Sequence, residues 1–226
     1  MKDLLGDAAG GVTVANLLEG AGGTQDNIRN PKSQFLPFLP LLNTPSFQWI
    51  KHDRQDWCRN VRIDGKTVAL RSERGTEEYC RGNVEMKKGE EHFFSLLFHT
   101  ATLPPDRGYI IYGITTDLTG YYHHKGVSHF MYNGGMDKRE NNSQKGVLEG
   151  KWGEIVREGS VLEVKVEVTE SGAAVRFRHS HYAHSQWTLL SPNWPLHPSS
   201  SCFFFLHAYD GAQMDVELLE HSMKKI

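Results

Sequence analysis

Apolar and polar positions alternate with a period of two along two segments of the chain. Between Val161 and Val168, valine and leucine alternate with glutamate and lysine, so one face is apolar and the other is charged. Val175 and Phe177 alternate with arginines in the same way. A side-chain period of two is typical of a strand that is buried on one face. We therefore predict half-buried β-strands over residues 161–169 and 173–179.

Eight further segments have the composition of strands, with β-branched and aromatic residues between turn residues. These segments cover residues 47–51, 59–63, 67–71, 92–99, 109–115, 129–132, 202–208 and 213–219. The segment Phe203-Phe204-Phe205-Leu206 is apolar on both faces, which indicates a central strand. No long amphipathic helix is evident after residue 45.

Short connections that contain glycine join three pairs of these predicted strands. They are Asp64-Gly65, Ser171-Gly172 and Asp210-Gly211. Such pairs favour the tight turns of β-hairpins, because glycine adopts a positive φ without steric cost. Ten short strands with three hairpins predict an all-β fold, an antiparallel β-sandwich of the concanavalin-like kind with an irregular N-terminal arm.

The length and the glycine distribution divide the chain into an arm and a domain. The chain has 226 residues, enough for one substantial core. Residues 1–44 are rich in glycine and contain prolines that forbid a regular helix, so we predict an extended or partly disordered arm. Residues 45–222 are the predicted sandwich domain. Within the arm, the apolar segment 35–42 either packs on its own domain or docks on a partner.

Composition and charge argue against several classes of partner. The net charge is −2 and no basic stripe is present, so nucleic-acid binding is not expected. No apolar run has the length of a membrane span, and the first residues lack the pattern of a secretory signal. The three cysteines are widely spaced and odd in number, which predicts free thiols and an intracellular, cytoplasmic location.

The residues that carry enzyme chemistry lack the expected patterns. Asp215 and Glu217 lie two apart on a predicted strand, where they form a charged outer face or, for a glycosidase, an acid pair. Among twelve histidines, His179 and His181 are the best start of a metal site, although ordinary hydrogen bonding is the simpler interpretation. Cys202 precedes an apolar strand and is predicted to be a buried thiol. We expect no enzyme activity, no metal and no cofactor.

Six stretches, in chain order, combine a strand with a characteristic turn. They are 60–70 around Asp64-Gly65; Arg81-Gly82 followed by Lys88-Gly89-Glu90-Glu91-His92-Phe93-Phe94; Ile110-Ile111-Tyr112-Gly113-Ile114-Thr115; 132–135 with 150–152; 158–164; and Trp194-Pro195-Leu196-His197-Pro198 with 203–206 and 211–213. Together they resemble a SPRY domain of the B30.2 family over about residues 46–220. Ser160 stands where this family usually has Asp. No RING pattern or heptad run accompanies the resemblance, so a ubiquitin-ligase role is not expected.

The resemblance implies a surface of loops that binds a peptide. The loop 119–126 is similar to a loop that contributes to that surface in SPRY proteins, 72–79 corresponds to a second wall, and 181–187 adds further aromatic side chains. Tyrosine, tryptophan and arginine are the residue types that anchor interfaces. The predicted partner-binding residues are Arg71, Arg74, Tyr79, Tyr121, Tyr122, His123, Tyr182 and Trp187.

Two functions from different classes remain open beside an enzyme. The first is an intracellular protein–protein interaction module, an adaptor or scaffold that binds a short peptide or forms part of a larger complex. The second is a lectin-like sandwich that binds carbohydrate. Both use the loops of one sandwich, and a fold alone does not identify a ligand.

Overall fold

The computed structural model describes residues 46–52, 58–118, 122–148, 156–180, 187–197 and 200–226. The predicted arm over 1–44, the segment 35–42 and the stretch 150–152 lie outside this part of the chain. Within it there are fourteen strands and one short 3-10 helix, Tyr122–Lys125. The strands are β1 Trp49–Lys51, β2 Val61–Asp64, β3 Thr67–Arg71, β4 Glu77–Gly82, β5 Glu90–Thr102, β6 Tyr109–Thr115, β7 Gly126–Tyr132, β8 Gly135–Glu140, β9 Ser143–Leu148, β10 Val161–Val168, β11 Ala173–His179, β12 Thr188–Trp194, β13 Phe203–Tyr209 and β14 Gln213–Lys225.

The strands form two antiparallel sheets of seven strands each. Sheet A has the order β1-β4-β13-β6-β7-β8-β9, and sheet B has the order β12-β11-β10-β5-β14-β3-β2. The central position predicted for the Phe203 to Leu206 segment is confirmed, because β13 lies between β4 and β6. The all-β antiparallel sandwich predicted from the sequence is therefore confirmed. Among the described residues, no helix is long and apolar enough to cross a membrane.

The hydrophobic core lies between the sheets, where alternate residues of every central strand meet. Phe204 of sheet A stacks on Phe94 of sheet B, with ring centroids 5.3 Å apart. The alternation predicted for β10 is visible as buried Leu162, Val164 and Val166, between half-buried charged residues. Cys202 is fully buried, as predicted.

A polar cluster of three rings lies within this core. The hydroxyl of Tyr112 on β6 is 2.9 Å from Nδ1 of His129 and also contacts Nε2 of His179 on sheet B. All three side chains are buried. Burial raises the pKa of Tyr112 well above its usual value and lowers the pKa of His129 well below its own. The Tyr112 hydroxyl and the His129 ring are therefore uncharged, and the hydroxyl links the two sheets by hydrogen bonds.

The three predicted hairpins are present. Gly65 has φ +57° between β2 and β3, and Asp210 and Gly211 have φ +51° and +90° between β13 and β14. Positive φ at these positions gives the turn whose twist matches that of the flanking strands. The connection at Gly172 joins β10 to β11 in the same antiparallel manner.

The stretch 136–146 is rich in lysine, arginine, asparagine and glutamine, a composition that predicts a mobile loop or a family-specific contact, and the prediction of a mobile loop is wrong. They form the hairpin of β8 and β9, which extends sheet A to its edge. Asn141 and Asn142 have φ of +47° and +60°, and asparagine is one of the few residue types that tolerates this region. The abundance of charged side chains is explained by the position at a sheet edge, where one face and one side of a strand meet water.

Candidate functional site

The outer face of sheet A, which points away from sheet B, carries an aromatic row near the end of three adjacent strands. Glu77 of β4 lies opposite Tyr209 of β13, and Tyr209 lies opposite Tyr109 of β6. The two tyrosine rings are 5.9 Å apart with an interplanar angle of 23°. This row therefore places a carboxylate beside two neighbouring phenol rings.

The next row along the same face is longer and more buried. Tyr79 of β4, His207 of β13, Ile111 of β6 and Phe130 of β7 are successive cross-strand partners. All four side chains are buried. His207 stacks on Tyr79 with centroids only 4.0 Å apart. Such burial on an outer face requires a cover.

The 3-10 helix between β6 and β7 lies over this second row. Tyr122 packs edge-on against Tyr79 and Phe205 at centroid distances of 5.5 and 5.6 Å. His123 stacks on His207 at 5.5 Å. Gly126 makes this close approach possible, because a Cβ there would lie 2.4 Å from the Ile114 carbonyl oxygen and 2.7 Å from that of Tyr122.

A cavity of about 250 Å³ opens between the two rows and the 3-10 helix. We call it the sheet A pocket. Its strand residues are Glu77, Tyr109, Ile111, Phe130, His207 and Tyr209. The remaining wall comes from His123, from Arg139 on β8 and from Asn142 in the β8–β9 turn. The hairpin that the sequence suggested was a loop thus supplies one side of the pocket.

His207 is the most unusual of the residues that line the pocket. Its side chain is only 2% exposed, and neither ring nitrogen has a hydrogen-bond partner in the described part of the chain. Burial, with a smaller contribution from His123, lowers the pKa of His207 well below its usual value. The imidazole is therefore neutral at pH 7 and carries one unused donor and one unused acceptor.

His123 is also held neutral. Burial, with smaller contributions from His124 and Arg139, lowers its pKa to about 4. The charges of the pocket therefore come from Glu77 on one side and Arg139 on the other. Arg139 Nη2 is 3.3 Å from the Asp137 carboxylate, while Arg139 Nε is buried and has no partner among the described residues.

Three of the residues predicted from the resemblance meet at this pocket. Tyr79 and Tyr122 are buried beneath and beside it, so they support its walls, and His123 lines it. Tyr79 lies in β4 and Tyr122 in the 3-10 helix, although the sequence suggested loops for both. Tyr121, the neighbouring predicted residue, lies outside the described residues.

The other predicted residues lie elsewhere. Arg74 is exposed in a turn, and the next residue, Gly75, donates its N–H to Asp210 at 2.7 Å, so this turn adjoins the end of β13. Arg71 is on the outer face of sheet B, paired with Asp215. Trp187 is 38% exposed. The Arg178 guanidinium lies over the Trp187 ring, 5.0 Å from the ring centroid. Tyr182 lies outside the described residues.

Sequence reasoning missed Glu77, Tyr109, Tyr209, Arg139 and above all His207. His207 lies in a run that is otherwise apolar, Phe203 to Ala208, and one histidine among core residues was a visible signal. The remaining residues come from four different strands, so only the pairing of the strands brings them together.

The carboxylates considered for a glycosidase do not face each other across a groove. Asp215 and Glu217 lie on the outer face of sheet B, where Asp215 pairs with Arg71 and Thr100, and Glu217 contacts His99 at 2.8 Å. This arrangement removes them as an acid pair. Within the described residues, no cluster of three or more His, Cys, Asp or Glu side chains could hold a metal ion.

Comparison with solved structures finds the same β-sandwich fold in domains of very different sequence. The SPRY domain of human HERC1 superposes with a TM-score of 0.51 at 10% identity, over 71% of this chain and 94% of that domain. The exoplasmic/lumenal domain of VIP36, solved with Ca²⁺ and Man3GlcNAc, gives 0.52 at 9% identity, over 80% of this chain and 84% of its own. The resemblance to a SPRY domain is thereby confirmed as a likeness of fold. No family model matches the sequence, and no curated protein sequence matches it either.

Proposed function

We propose that this chain is a non-catalytic interaction module that binds a short peptide or a partner surface at the sheet A pocket. The observation that carries the proposal is the pocket itself, with aromatic walls, opposite charges at its sides and a buried histidine whose ring nitrogens have no partner among the described residues. The turn of Arg74 and the 3-10 helix extend the contact surface. This agrees in part with the surface that the SPRY resemblance implies.

The size of the pocket supports an anchor side chain. Sites for drug-sized molecules and cofactors usually occupy about 300–1,000 Å³. The sheet A pocket, at about 250 Å³, is smaller, and one amino-acid side chain fits within it. Tyrosines at such a position bury a large rigid area and keep a polar hydroxyl, which is how anchor pockets gain affinity.

The setting in the cell and the role of the arm are part of the same proposal. Cys58, Cys80 and Cys202 are free, which supports a reducing intracellular compartment. We also propose that residues 35–42 dock on a subunit of a larger complex. Deleting residues 1–44 then removes at least one co-purifying partner, whereas an unchanged set of partners contradicts this role of the arm.

Selection of peptides on the full chain tests the function. We expect peptides from a random displayed library to converge on a consensus. Tyr209→Ala then weakens binding of a selected peptide at least about tenfold in calorimetry, because it removes one wall of the pocket. Leu219→Ala is the matched control, since Leu219 is an exposed apolar residue on sheet B. Equal affinities for the wild type and Tyr209→Ala contradict the proposal.

A carbohydrate ligand is the second candidate. Two neighbouring tyrosine rings beside Glu77 and Asn142 are a surface on which a sugar ring stacks while its hydroxyls bond to the polar groups. The VIP36 domain, whose structure contains Man3GlcNAc, supports this only through its fold. Binding on a glycan array that Tyr209→Ala abolishes, with no peptide selected, favours this candidate over the first.

A further inference from the structure

His207 has a feature that core packing does not explain. A buried imidazole whose nitrogens have no partners destabilises a fold, because both nitrogens lose their hydrogen bonds to water. A phenylalanine at the same place keeps the ring between Tyr79 and His123 without that penalty. A side chain that lowers stability at the floor of a cavity indicates a binding role.

A rotation of the His207 ring changes which of its edges carries the nitrogens. The ring is stacked at 4.0 Å on Tyr79 and at 5.5 Å on His123, and both nitrogens are inaccessible to water. A rotation of 180° about χ2 exchanges ring nitrogens with ring carbons and leaves the stack intact. The His207 ring, which lines the pocket, can therefore exchange the positions of its donor and acceptor without losing its stacking contacts.

The charged groups around the pocket disfavour a charged occupant because both already have partners. The Tyr79 hydroxyl donates a hydrogen bond to Glu77, and Arg139 pairs with Asp137, so neither charge is free to compensate that of an occupant. Arg139 Nε offers one unused donor, and neutral His207 offers a donor and an acceptor. The apolar surface between them comes from Ile111, Phe130 and the tyrosine rings. This pattern matches a short apolar stem that ends in a group able both to donate and to accept.

We propose that His207 determines the specificity of the sheet A pocket, which takes an uncharged peptide residue whose carboxamide or hydroxyl tip forms hydrogen bonds with the His207 ring. This inference rests on the proposed function and adds the chemistry of the anchor residue. A peptide is favoured over a sugar because the floor around His207 is formed by its row neighbours Ile111 and Phe130, whose side chains form no hydrogen bonds. A sugar ring would bury several hydroxyls there, and most of them would lack partners.

His207→Phe tests the inference, since it separates stability from binding. We expect the variant to raise the melting temperature of the full chain by several degrees. We expect His207→Phe to weaken the binding of selected peptides at least about tenfold. His207→Gln, which keeps a donor and an acceptor, retains more affinity than His207→Phe. His99→Phe, on the exposed face of sheet B, is the matched control and leaves peptide affinity within about twofold.

The second part of the test uses the sequences of the selected peptides. We expect their consensus to contain one uncharged residue with an amide or hydroxyl, and replacement by glutamate or lysine to abolish binding. If Tyr209→Ala weakens binding but His207→Phe and His207→Gln do not, the sheet A pocket is still the binding site and the proposed role of His207 is wrong. If none of the three variants weakens binding, the proposed function itself fails. A charged anchor residue, or binding of glycans only, also overturns the inference.

Discussion

The hydroxyl of Tyr112 forms hydrogen bonds to both sheets inside this sandwich. It lies between His129 of sheet A and His179 of sheet B, and all three side chains are buried. A neutral hydroxyl can donate to one imidazole and accept from another, so it satisfies one nitrogen on each side. His207, in contrast, has two nitrogens without such a partner among the described residues. Histidine thus contributes to stability in the Tyr112 cluster and, by our proposal, to recognition at position 207.

Tyr112→Phe is expected to lower the free energy of unfolding by about 2 kcal/mol, because it removes the hydroxyl that forms hydrogen bonds with two buried imidazole rings. Urea denaturation measures this change. Tyr109→Phe, which removes a hydroxyl from a side chain that is 36% exposed, is the control and changes stability by less than about 0.5 kcal/mol. Equal effects of the two substitutions would show that the buried cluster does not stabilise the fold.

At the scale of elements, the β13–β14 hairpin positions the end of the pocket. Tyr209 is the last residue of β13, and Asp210 and Gly211 follow with positive φ. The Asp210 side chain accepts a hydrogen bond from Gly75, and the Asp210 N–H donates to the Thr76 carbonyl at 3.0 Å. The turn therefore connects the pocket wall at Tyr209 to the turn of Arg74.

Gly211→Ala is expected to destabilise the chain by more than Gly65→Ala. Both glycines have positive φ, which alone costs about 1 kcal/mol for an L-residue. At Gly211 the added Cβ would also lie 2.8 Å from Pro104 Cγ, whereas at Gly65 no atom of the described residues lies within 4 Å of it. Denaturation of both variants gives the comparison, and an equal loss of stability would contradict the packing argument.

The sequence predicted the elements whose signal is local. Alternation identified β10 and β11, and Asp-Gly pairs located two hairpins. Strands β4, β8, β9 and β12 were missed because their residues are mixed in character and their pairing depends on neighbours that are distant in the chain. Edge strands such as β9 and β12 also need no continuous apolar face.

The site was predicted only in part for a related reason. His123 was identified through the resemblance of its loop to a SPRY loop, and it lines the pocket. His207 and Tyr209 lie on β13, and their role depends on β4 and β6 lying beside that strand. No local pattern reveals this registration. The loop of His123 has a local signature, whereas the sheet face beneath it is formed by strands that are distant in the sequence.

At the scale of the whole molecule, buried neutral histidines make the fold sensitive to acid. Burial is the main cause that lowers the pKa of His92, His123, His129 and His207, and for His123 the value is about 4. The unfolded chain binds protons at these residues near pH 6.5, and the folded chain does not. Stability is therefore fully present above about pH 6.5 and decreases as the pH falls towards the folded-state pKa values.

We expect the free energy of unfolding to fall between pH 7.5 and pH 5.0 by about 2 kcal/mol for each histidine that stays neutral in the fold. Urea denaturation at the two pH values measures this. His207→Phe is the control and shows a smaller decrease than the wild type, because one such histidine is gone. A free energy that is the same at both pH values would contradict the neutral state of these histidines.

The central claim, that the sheet A pocket is the binding site, is tested most directly by mapping a selected peptide on the full chain with amide chemical shifts. We predict that the largest changes in chemical shift on peptide binding fall at the ends of β4, β6 and β13, in the 3-10 helix and in the β8–β9 turn. Shifts centred instead on sheet B, around Arg71 or Trp187, would contradict it.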